Sequence, residues 1–230
     1  MTLHDALGNT SARLSPFACR ALTAHIFHAC LEHSFTQYAH DEDAEFWKRQ
    51  QNLDSRLAVL FMVLPDTMRC PKQNPVRHDA ILVNLTLHTA SICLHRVGHF
   101  RSAKGGQPSA EHAPGPTQFG APEVRLLASA QAIFAIVTNL HDPHLRFSNL
   151  FVAFAAFVAA LVFLDNFATT HDLESEERLN TLMNLMIVMA DQNHMTASLV
   201  LQLAGHVNKS GIDPSALDKV MCPGRHVDLI

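Results

Sequence analysis

Histidine is the residue type in this chain that could do the most chemistry, because the sequence holds 16 of them and neutral imidazole is a common metal ligand. His25 and His28 lie one helical turn apart, and His95 and His99 have the i,i+4 spacing that can place two imidazoles on one ion. Neither pair has a clear third ligand on its own helix. His88 lies seven residues before His95, about 10 Å along a helix axis and too far for one ion. We therefore predict no metal-ligating residue, and a histidine-rich helical metal-binding or enzymatic protein is the alternative.

Nucleophilic and acid–base chemistry has no local signature in the sequence. The chain contains no G-x-S-x-G, G-x-G-x-x-G or P-loop motif and no CxxC pair. The acidic residues cluster at predicted helix starts, where they complement the helix dipole. We expect no catalytic residue, no cofactor-binding residue and no enzymatic activity. Reduced thiols are the simplest state of the five scattered cysteines, which are Cys19, Cys30, Cys70, Cys93 and Cys222.

The elements that would have to position any site are helices. Apolar residues make up 48% of the chain, glycine is scarce, and helical spacing of apolar positions recurs along the sequence. We predict an all-α fold, a multi-helix bundle of about seven to eight helices around a buried apolar helix. The expected helices are Phe17–Phe35, Ala44–Leu64, His78–Phe100, Pro122–Leu140, Asn149–Ala168, one opened by Leu173–Arg178, His194–Val207 and a short one after Asp213-Pro214.

The stretch Leu150–Leu164 is the predicted centre of the bundle. It is apolar on every face, so it must be buried in a core or in lipid. A membrane span needs about 20 apolar residues, whereas Asp165 ends this run early. We therefore predict a core helix, with Phe151, Phe154 and Phe157 as main contributors to stability, and no other segment that approaches a membrane span.

Helix caps and loops set the predicted domain organisation. Ser15 and Ser148 are the expected N-caps of the first helix and of the central helix. We predict a disordered N-terminus over 1–14, one helical domain over 15–222 and a C-terminal tail over 223–230. The segment 102–122 holds four glycines and four prolines and is predicted to be a flexible insertion within that domain.

The charge balance argues against nucleic-acid binding by this chain itself. Lysine and arginine together number 17 against 21 acidic residues, which gives a net charge of −4. Proteins that bind nucleic acids usually carry a basic excess that displaces counterions from phosphate. No basic run longer than Lys48-Arg49 occurs.

Three segments in order carry a family resemblance. The first is FWKRQQNLDSRLAVLFMVLPDTMRCP (Phe46–Pro71), the second is ILVNLTLHTASICLHR (Ile81–Arg96), and the third is SNLFVAFAAFVAALVFL (Ser148–Leu164). Together they resemble the middle homology region of fungal-specific transcription factors, regulators that usually carry a six-cysteine zinc cluster. The helix in Ser15–His33 also looks like the one that precedes the first segment in that family. The resemblance covers about Ser15–Gln202.

The resemblance implies a regulatory domain in a nuclear protein that modulates transcription by RNA polymerase II. The expected partners are proteins of the transcription machinery or a second copy of the chain, and a small-molecule effector. The six-cysteine pattern is absent, and no segment resembles the first part of the family's domain. The chain therefore looks like the C-terminal portion of such a domain. Zinc and DNA contacts are expected only in a separate N-terminal part, no cofactor is expected in this chain, and no membrane association is expected.

The polar residues inside the first two segments are predicted to connect helices. Asp54 and Arg56 are expected to pair with each other or with neighbouring helices, and His88 and His95 to hydrogen-bond backbone carbonyls. Asn84 lies on an apolar face, and a buried amide without a partner costs about 1–3 kcal/mol. We expect Asn84 to find such a partner.

Overall fold

A computed structural model describes residues 14–35, 43–69, 78–103 and 122–210 of the chain. Within these residues the chain forms eight α-helices and a short 3₁₀ helix at Asp66–Met68, and it forms no strand. The all-α prediction is therefore confirmed. The helices are α1 (Pro16–Phe35), α2 (Asp43–Val63), α3 (His78–Ala103), α4 (Pro122–Thr138), α5 (Pro143–Ser148), α6 (Leu150–Thr170), α7 (Leu173–Ala190) and α8 (His194–Lys209).

The start of α1 follows the predicted capping signal. The hydroxyl of Ser15 accepts a hydrogen bond of 3.2 Å from the backbone N–H of Ala18, and Pro16 occupies the first helical position. Proline is favoured there because its fixed φ suits the helix and the missing N–H would have had no partner. The N-cap predicted at Ser15 is thus confirmed.

The start of α6 differs from the prediction by one residue. Asn149 rather than Ser148 is the N-cap, and its side-chain oxygen accepts a 3.0 Å hydrogen bond from the N–H of Phe151. The residues before it form the short helix α5, which the sequence did not predict. Asp142 starts that helix by accepting a hydrogen bond from Leu145, with Pro143 in the first turn.

The contacts within the chain divide it into two compact units. Unit 1 extends to Ile136 and unit 2 starts at Val137. In unit 1, α1 packs chiefly on α3, and α2 packs on both. Apolar side chains from these three helices form the core of the unit, including Ile26, Cys30, Leu57, Leu60, Leu87 and Leu94.

Unit 2 is built on α6, which packs against α5, α7 and α8. Phe163 is fully buried, whereas Phe151 and Phe154 are only half-buried. Of the three phenylalanines predicted to contribute most to stability, Phe157 is buried. Phe151 and Phe154 lie near the partly exposed start of α6 and remove less area from water, so their contribution to stability stays a prediction. Three methionines of α7 fill the same core, namely Met183, Met186 and Met189.

Two apolar residues near helix starts are exposed. Phe17 in α1 and Val124 in α4 keep 81% and 60% of their surface in contact with solvent. Both lie in the first turn of their helix, where fewer neighbouring elements are within reach. Helical spacing of apolar residues therefore indicates which face of a helix packs, but not which turns of the helix are covered by other elements.

Several predictions fall outside the described residues. They concern the disordered N-terminus over 1–14 except for its last residue, almost all of the insertion 102–122, the short helix after Asp213 and the tail 223–230. The single domain predicted over 15–222 stays a prediction.

Two described helices are long and apolar enough to cross a membrane by length and composition. They are His78–Ser102 and Leu150–Thr170, and 67% of the apolar window of each is buried inside the protein. The first of these was missed by the expectation that only Leu150–Leu164 comes close. Core helices pass the same test, so the predicted absence of membrane association stays a prediction.

Candidate functional site

The polar residues of the first two resemblance segments lie in unit 1, where α2 faces α3 and α4. The Asp54 carboxylate on α2 receives two hydrogen bonds from the Arg125 guanidinium on α4, one of them 2.7 Å long from Nη1 to Oδ2. His95 on α3 places Nε2 at 3.3 Å from Oδ1 of the same carboxylate. These three side chains, called the Asp54 cluster below, connect three helices through one carboxylate.

The electrostatics of the Asp54 cluster keep the carboxylate ionised. Burial by itself raises the pKa of Asp54, but the contacts of its carboxylate with His95 and Arg125 outweigh burial and lower the pKa to about 2. Asp54 is therefore an anion that accepts hydrogen bonds, and it is poorly suited to act as a general acid near neutral pH. The cluster is better suited to hold α2, α3 and α4 in register.

A second connection runs from α1 through α2 to α3. His33 on α1 lies 2.8 Å from Oε1 of Gln50 on α2, measured from Nε2. The Gln50 amide then donates a 2.9 Å hydrogen bond to the carbonyl of Leu94 on α3. The ring of His33 stacks on Phe46 at 4.5 Å, and the guanidinium of Arg101 lies over the same phenyl ring at 4.4 Å. We call the sequence His33–Gln50–Leu94 the Gln50 connection.

Gly98 makes the Gln50 connection possible. A methyl group at Gly98 would lie 3.0 Å from Nε2 of Gln50 and 3.5 Å from the ring of Trp47. The absence of a side chain therefore allows α2 to approach α3 at this point. The sequence contains this glycine within a predicted helix, but its purpose depends on residues about fifty positions away.

The buried amide of Asn84 has the partner that its burial requires. Its Nδ2 donates hydrogen bonds of 2.7 Å to the carbonyls of Met68 and Ala80. Met68 belongs to the 3₁₀ helix that follows α2, so Asn84 ties α3 to that turn. The prediction that Asn84 connects elements is confirmed.

The other polar predictions have mixed outcomes. Asp54 pairs with Arg125 of a neighbouring helix, which confirms one of its two expected arrangements. His95 faces a carboxylate where a carbonyl was expected, so that prediction is wrong. Nδ1 of His88 has no hydrogen-bond partner in the described part of the chain, and the ring instead contacts Phe61. Burial lowers the pKa of His88 to about 4, so it is neutral at pH 7.

A groove of about 440 Å³ opens between α1 and α2, next to the Gln50 connection. A volume of this size is within the range of small-molecule sites. His33 contributes to both features. The residues that line the groove are Ala29, Glu32, His33, Glu45, Lys48, Arg49, Asn52, Leu53 and Arg56.

Three of the four histidines in the two spaced pairs each lie near a different carboxylate. His28 faces Glu32 at 3.5 Å, His99 faces Glu123 at 3.3 Å, and His95 belongs to the Asp54 cluster. Within residues 14–35, 43–69, 78–103 and 122–210, no three His, Cys, Asp or Glu side chains are placed to hold one ion. The alternative of a metal-binding protein stays a hypothesis, which elemental analysis of the purified chain with a chelator control tests.

The described cysteines are free thiols in apolar surroundings. Burial raises the pKa of Cys30 to about 12 and that of Cys93 to about 11. A thiol with so high a pKa is a weak nucleophile at neutral pH. Cys70 and Cys222 lie outside the described residues.

Sequence reasoning missed Gln50, Gly98 and Arg125. Gln50 and Gly98 lie in or beside the two segments, but neither has an unusual local pattern. Arg125 lies beyond the segment 102–122, so only the fold brings it to Asp54. Models of known protein families, curated protein sequences and solved structures all give no match to this chain.

Proposed function

We propose that this chain is a regulatory domain of a fungal transcription factor that does not itself contact DNA. It modulates transcription by RNA polymerase II in the nucleus through contacts with proteins or with a small-molecule effector. The observation that carries the proposal is that the polar residues of the first two resemblance segments connect helices to one another. Asp54 and His95 connect α2 to α3 and α4, and Asn84 connects α3 to the 3₁₀ helix.

The groove between α1 and α2 provides the contact surface for this role. It shares His33 with the Gln50 connection, so anything that binds there touches a residue linked to α3. A regulatory domain needs such a link, because a ligand changes a protein's state only through contacts that differ between states. DNA binding and zinc belong, in this proposal, to a separate part of the regulator.

A reporter assay tests the proposed function. The full chain is fused to an unrelated DNA-binding domain and expressed in a fungal host carrying a reporter gene with the matching operator. We expect the fusion to change reporter output relative to the DNA-binding domain alone, and the change to depend on nutrient or metabolite conditions. An expressed, nuclear fusion with no effect under any condition would contradict the proposal.

A second fusion protein controls for folding in that assay. The same fusion with Phe163→Ala, which weakens the core of unit 2, should lose the effect together with its cellular abundance. An effect that survives when the protein is unfolded would come from an unfolded segment rather than from the helical domain.

A further inference from the structure

Two cations of the groove have no anionic partner among the described residues. Lys48 and Arg56 both line the groove from α2, and neither forms an ion pair in the described part of the chain. They are eight residues apart, about 12 Å along the helix axis. Asn52 lies midway between them on the same helix face and adds an amide to the groove lining.

The remaining charges leave the groove with a positive balance. Glu32 and Glu45 also line it, but Arg49 joins Lys48 and Arg56 to give three cations against two carboxylates. Glu32 additionally faces His28 at 3.5 Å. Lys48 and Arg56 in a partly enclosed groove attract anions, and the planar guanidinium of Arg56 suits carboxylate or phosphate oxygens.

The Gln50 connection defines which proton His33 carries. Because the Gln50 amide donates to the carbonyl of Leu94, its oxygen faces Nε2 of His33. Nε2 must therefore hold the proton and donate, which leaves Nδ1 as an acceptor. Nδ1 is buried and accepts no hydrogen bond from any described residue. Burial lowers the pKa of His33. The hydrogen bond to Gln50 raises this pKa and the charges of Arg49 and Arg101 lower it, and the net effect is a lowered pKa, so the ring is neutral.

We propose that the groove binds a small organic polyanion that carries a hydroxyl group. Its carboxylate or phosphate groups lie beside Lys48 and Arg56, and its hydroxyl donates a hydrogen bond to Nδ1 of His33. This assignment names the effector class of the proposed function and rests on that function for its regulatory meaning. Binding itself is a property of the groove.

The position of Nδ1 couples binding to the rest of unit 1. Nδ1 is closed to solvent, so a ligand hydroxyl reaches it only if the ring of His33 turns in its contact with Gln50. That movement disturbs the hydrogen bond from Gln50 to Leu94 on α3. A ligand in the groove therefore changes the contact between α2 and α3.

Isothermal titration calorimetry of the purified full chain in Tris chloride at pH 7.5 tests the assignment. The probes are citrate, glucose 6-phosphate and tricarballylate, which has the carboxylates of citrate without its hydroxyl. We expect citrate or glucose 6-phosphate to bind, and the stronger of the two identifies carboxylate or phosphate as the preferred anion. Tricarballylate should bind about fivefold more weakly than citrate, the effect of one lost hydrogen bond.

Charge-removing variants show whether binding occurs in the groove. Arg56→Gln should weaken binding of the preferred probe about tenfold, since a hydrogen bond to a charged group is lost, and Lys48→Gln should weaken it less because Lys48 is more exposed. Lys209→Gln on α8 removes one positive charge outside the groove and should leave binding unchanged. Circular dichroism and thermal unfolding check that the variants fold.

Three results would overturn the assignment. They are no binding of any probe at millimolar concentration, equal affinity of the Arg56→Gln and Lys209→Gln variants for the preferred probe, or equal affinity of the chain for citrate and tricarballylate when citrate binds. The reporter assay separates this failure from failure of the proposed function. A reporter response without binding by the purified chain overturns only the groove assignment. Binding without a reporter response supports the groove and counts against the transcriptional role.

Discussion

The two units of the chain differ in how many polar side chains they bury. Among the described residues, unit 1 buries eight polar side chains, whereas unit 2 buries two, Ser175 and Thr196, which lie near the starts of α7 and α8. In unit 2, polar groups act mainly at helix ends, where Asn149, Asp172 and Asn193 cap α6, α7 and α8. The buried polar residues of unit 1 are Thr23, His33, Gln50, Asn84, Thr89, Ser91, His95 and Ser129.

This difference indicates that polar contacts and apolar packing contribute differently to the two units. A buried polar group contributes little net stability, but losing its partner is costly, so paired groups fix the geometry of the helices that carry them. An apolar core contributes stability in proportion to the area it buries. Both units have an apolar core. We infer that unit 1 adds paired polar groups that fix the arrangement of its helices around the groove, whereas unit 2 depends mainly on apolar packing.

The largest effect that separates the units is expected from truncating a core aromatic residue in unit 2. Phe163→Ala removes a fully buried side chain from α6 and should lower the free energy of unfolding by about 3–5 kcal/mol. Phe154→Ala, a matched change at a half-buried position of the same helix, should cost clearly less. Urea denaturation followed by circular dichroism measures both. Equal losses for the two variants would contradict the burial of Phe163 and Phe154 described above.

A smaller loss is expected from the Asp54 cluster of unit 1. Asp54→Asn removes the negative charge but keeps the size, leaving Arg125 and His95 without their shared anion. We expect a loss of about 2 kcal/mol, below the range for fully buried pairs because the cluster is partly exposed. Asp172→Asn is the matched change at a helix cap of unit 2, where asparagine caps as well as aspartate, and little change is expected. Similar losses at both positions would remove the contrast between the units.

Acid should weaken unit 1 through the same carboxylate. The pKa of Asp54 is lowered from 3.8 to about 2 in the folded chain, so its contribution is fully present above pH 4 to 5 and is lost as pH falls towards 2. After allowance for solvent screening, about 1.5 kcal/mol of stability should disappear over this window. Urea denaturation at pH 5 and at pH 2.5 measures the loss. The wild type and the Asp54→Asn variant should differ in this pH dependence, and parallel curves would show that Asp54 contributes nothing to it.

The smallest expected difference in stability between the units comes from replacing two glycines by alanine. Gly98→Ala in unit 1 places a methyl group 3.0 Å from Nε2 of Gln50, which is held by its hydrogen bond to Leu94, and should cost about 1 kcal/mol despite the better helix propensity of alanine. Gly205→Ala on α8 has no atom within 4 Å of the added methyl group. It should stabilise the chain by about 0.5–1 kcal/mol. Thermal unfolding of the two variants should therefore shift in opposite directions, and a stabilising Gly98→Ala would contradict the close approach of α2 and α3.

The sequence predicts the helices well because helical periodicity and caps are local signals. Ser15, Pro16 and the apolar run of α6 identify helix starts and a core without any knowledge of tertiary structure. Asn84 could also be anticipated, because a buried amide needs a partner wherever the chain provides one. The exposure of Phe17 could not be predicted from the sequence, because it depends on which elements of the fold lie opposite the first turn of α1.

Most of the candidate site could not be predicted from the sequence. Arg125 and Asp54 are 71 positions apart, and no periodicity relates them. The groove depends on α1 and α2 lying side by side, which places His33 next to Lys48 and Arg56. Spacing within one helix suggested metal-binding pairs such as His95 and His99, but the two imidazoles face Asp54 and Glu123. Partners from other helices decide what a polar side chain does.

The central claim is that regulation acts through the groove of unit 1, and a reporter comparison of two charge-removing variants tests it most directly. The fusion of the full chain to an unrelated DNA-binding domain is assayed as wild type, as Arg56→Gln and as Lys209→Gln, at equal cellular abundance. We predict that Arg56→Gln loses the condition-dependent response and that Lys209→Gln retains it. A wild-type response that Arg56→Gln leaves intact, or that both variants lose equally, would contradict the claim.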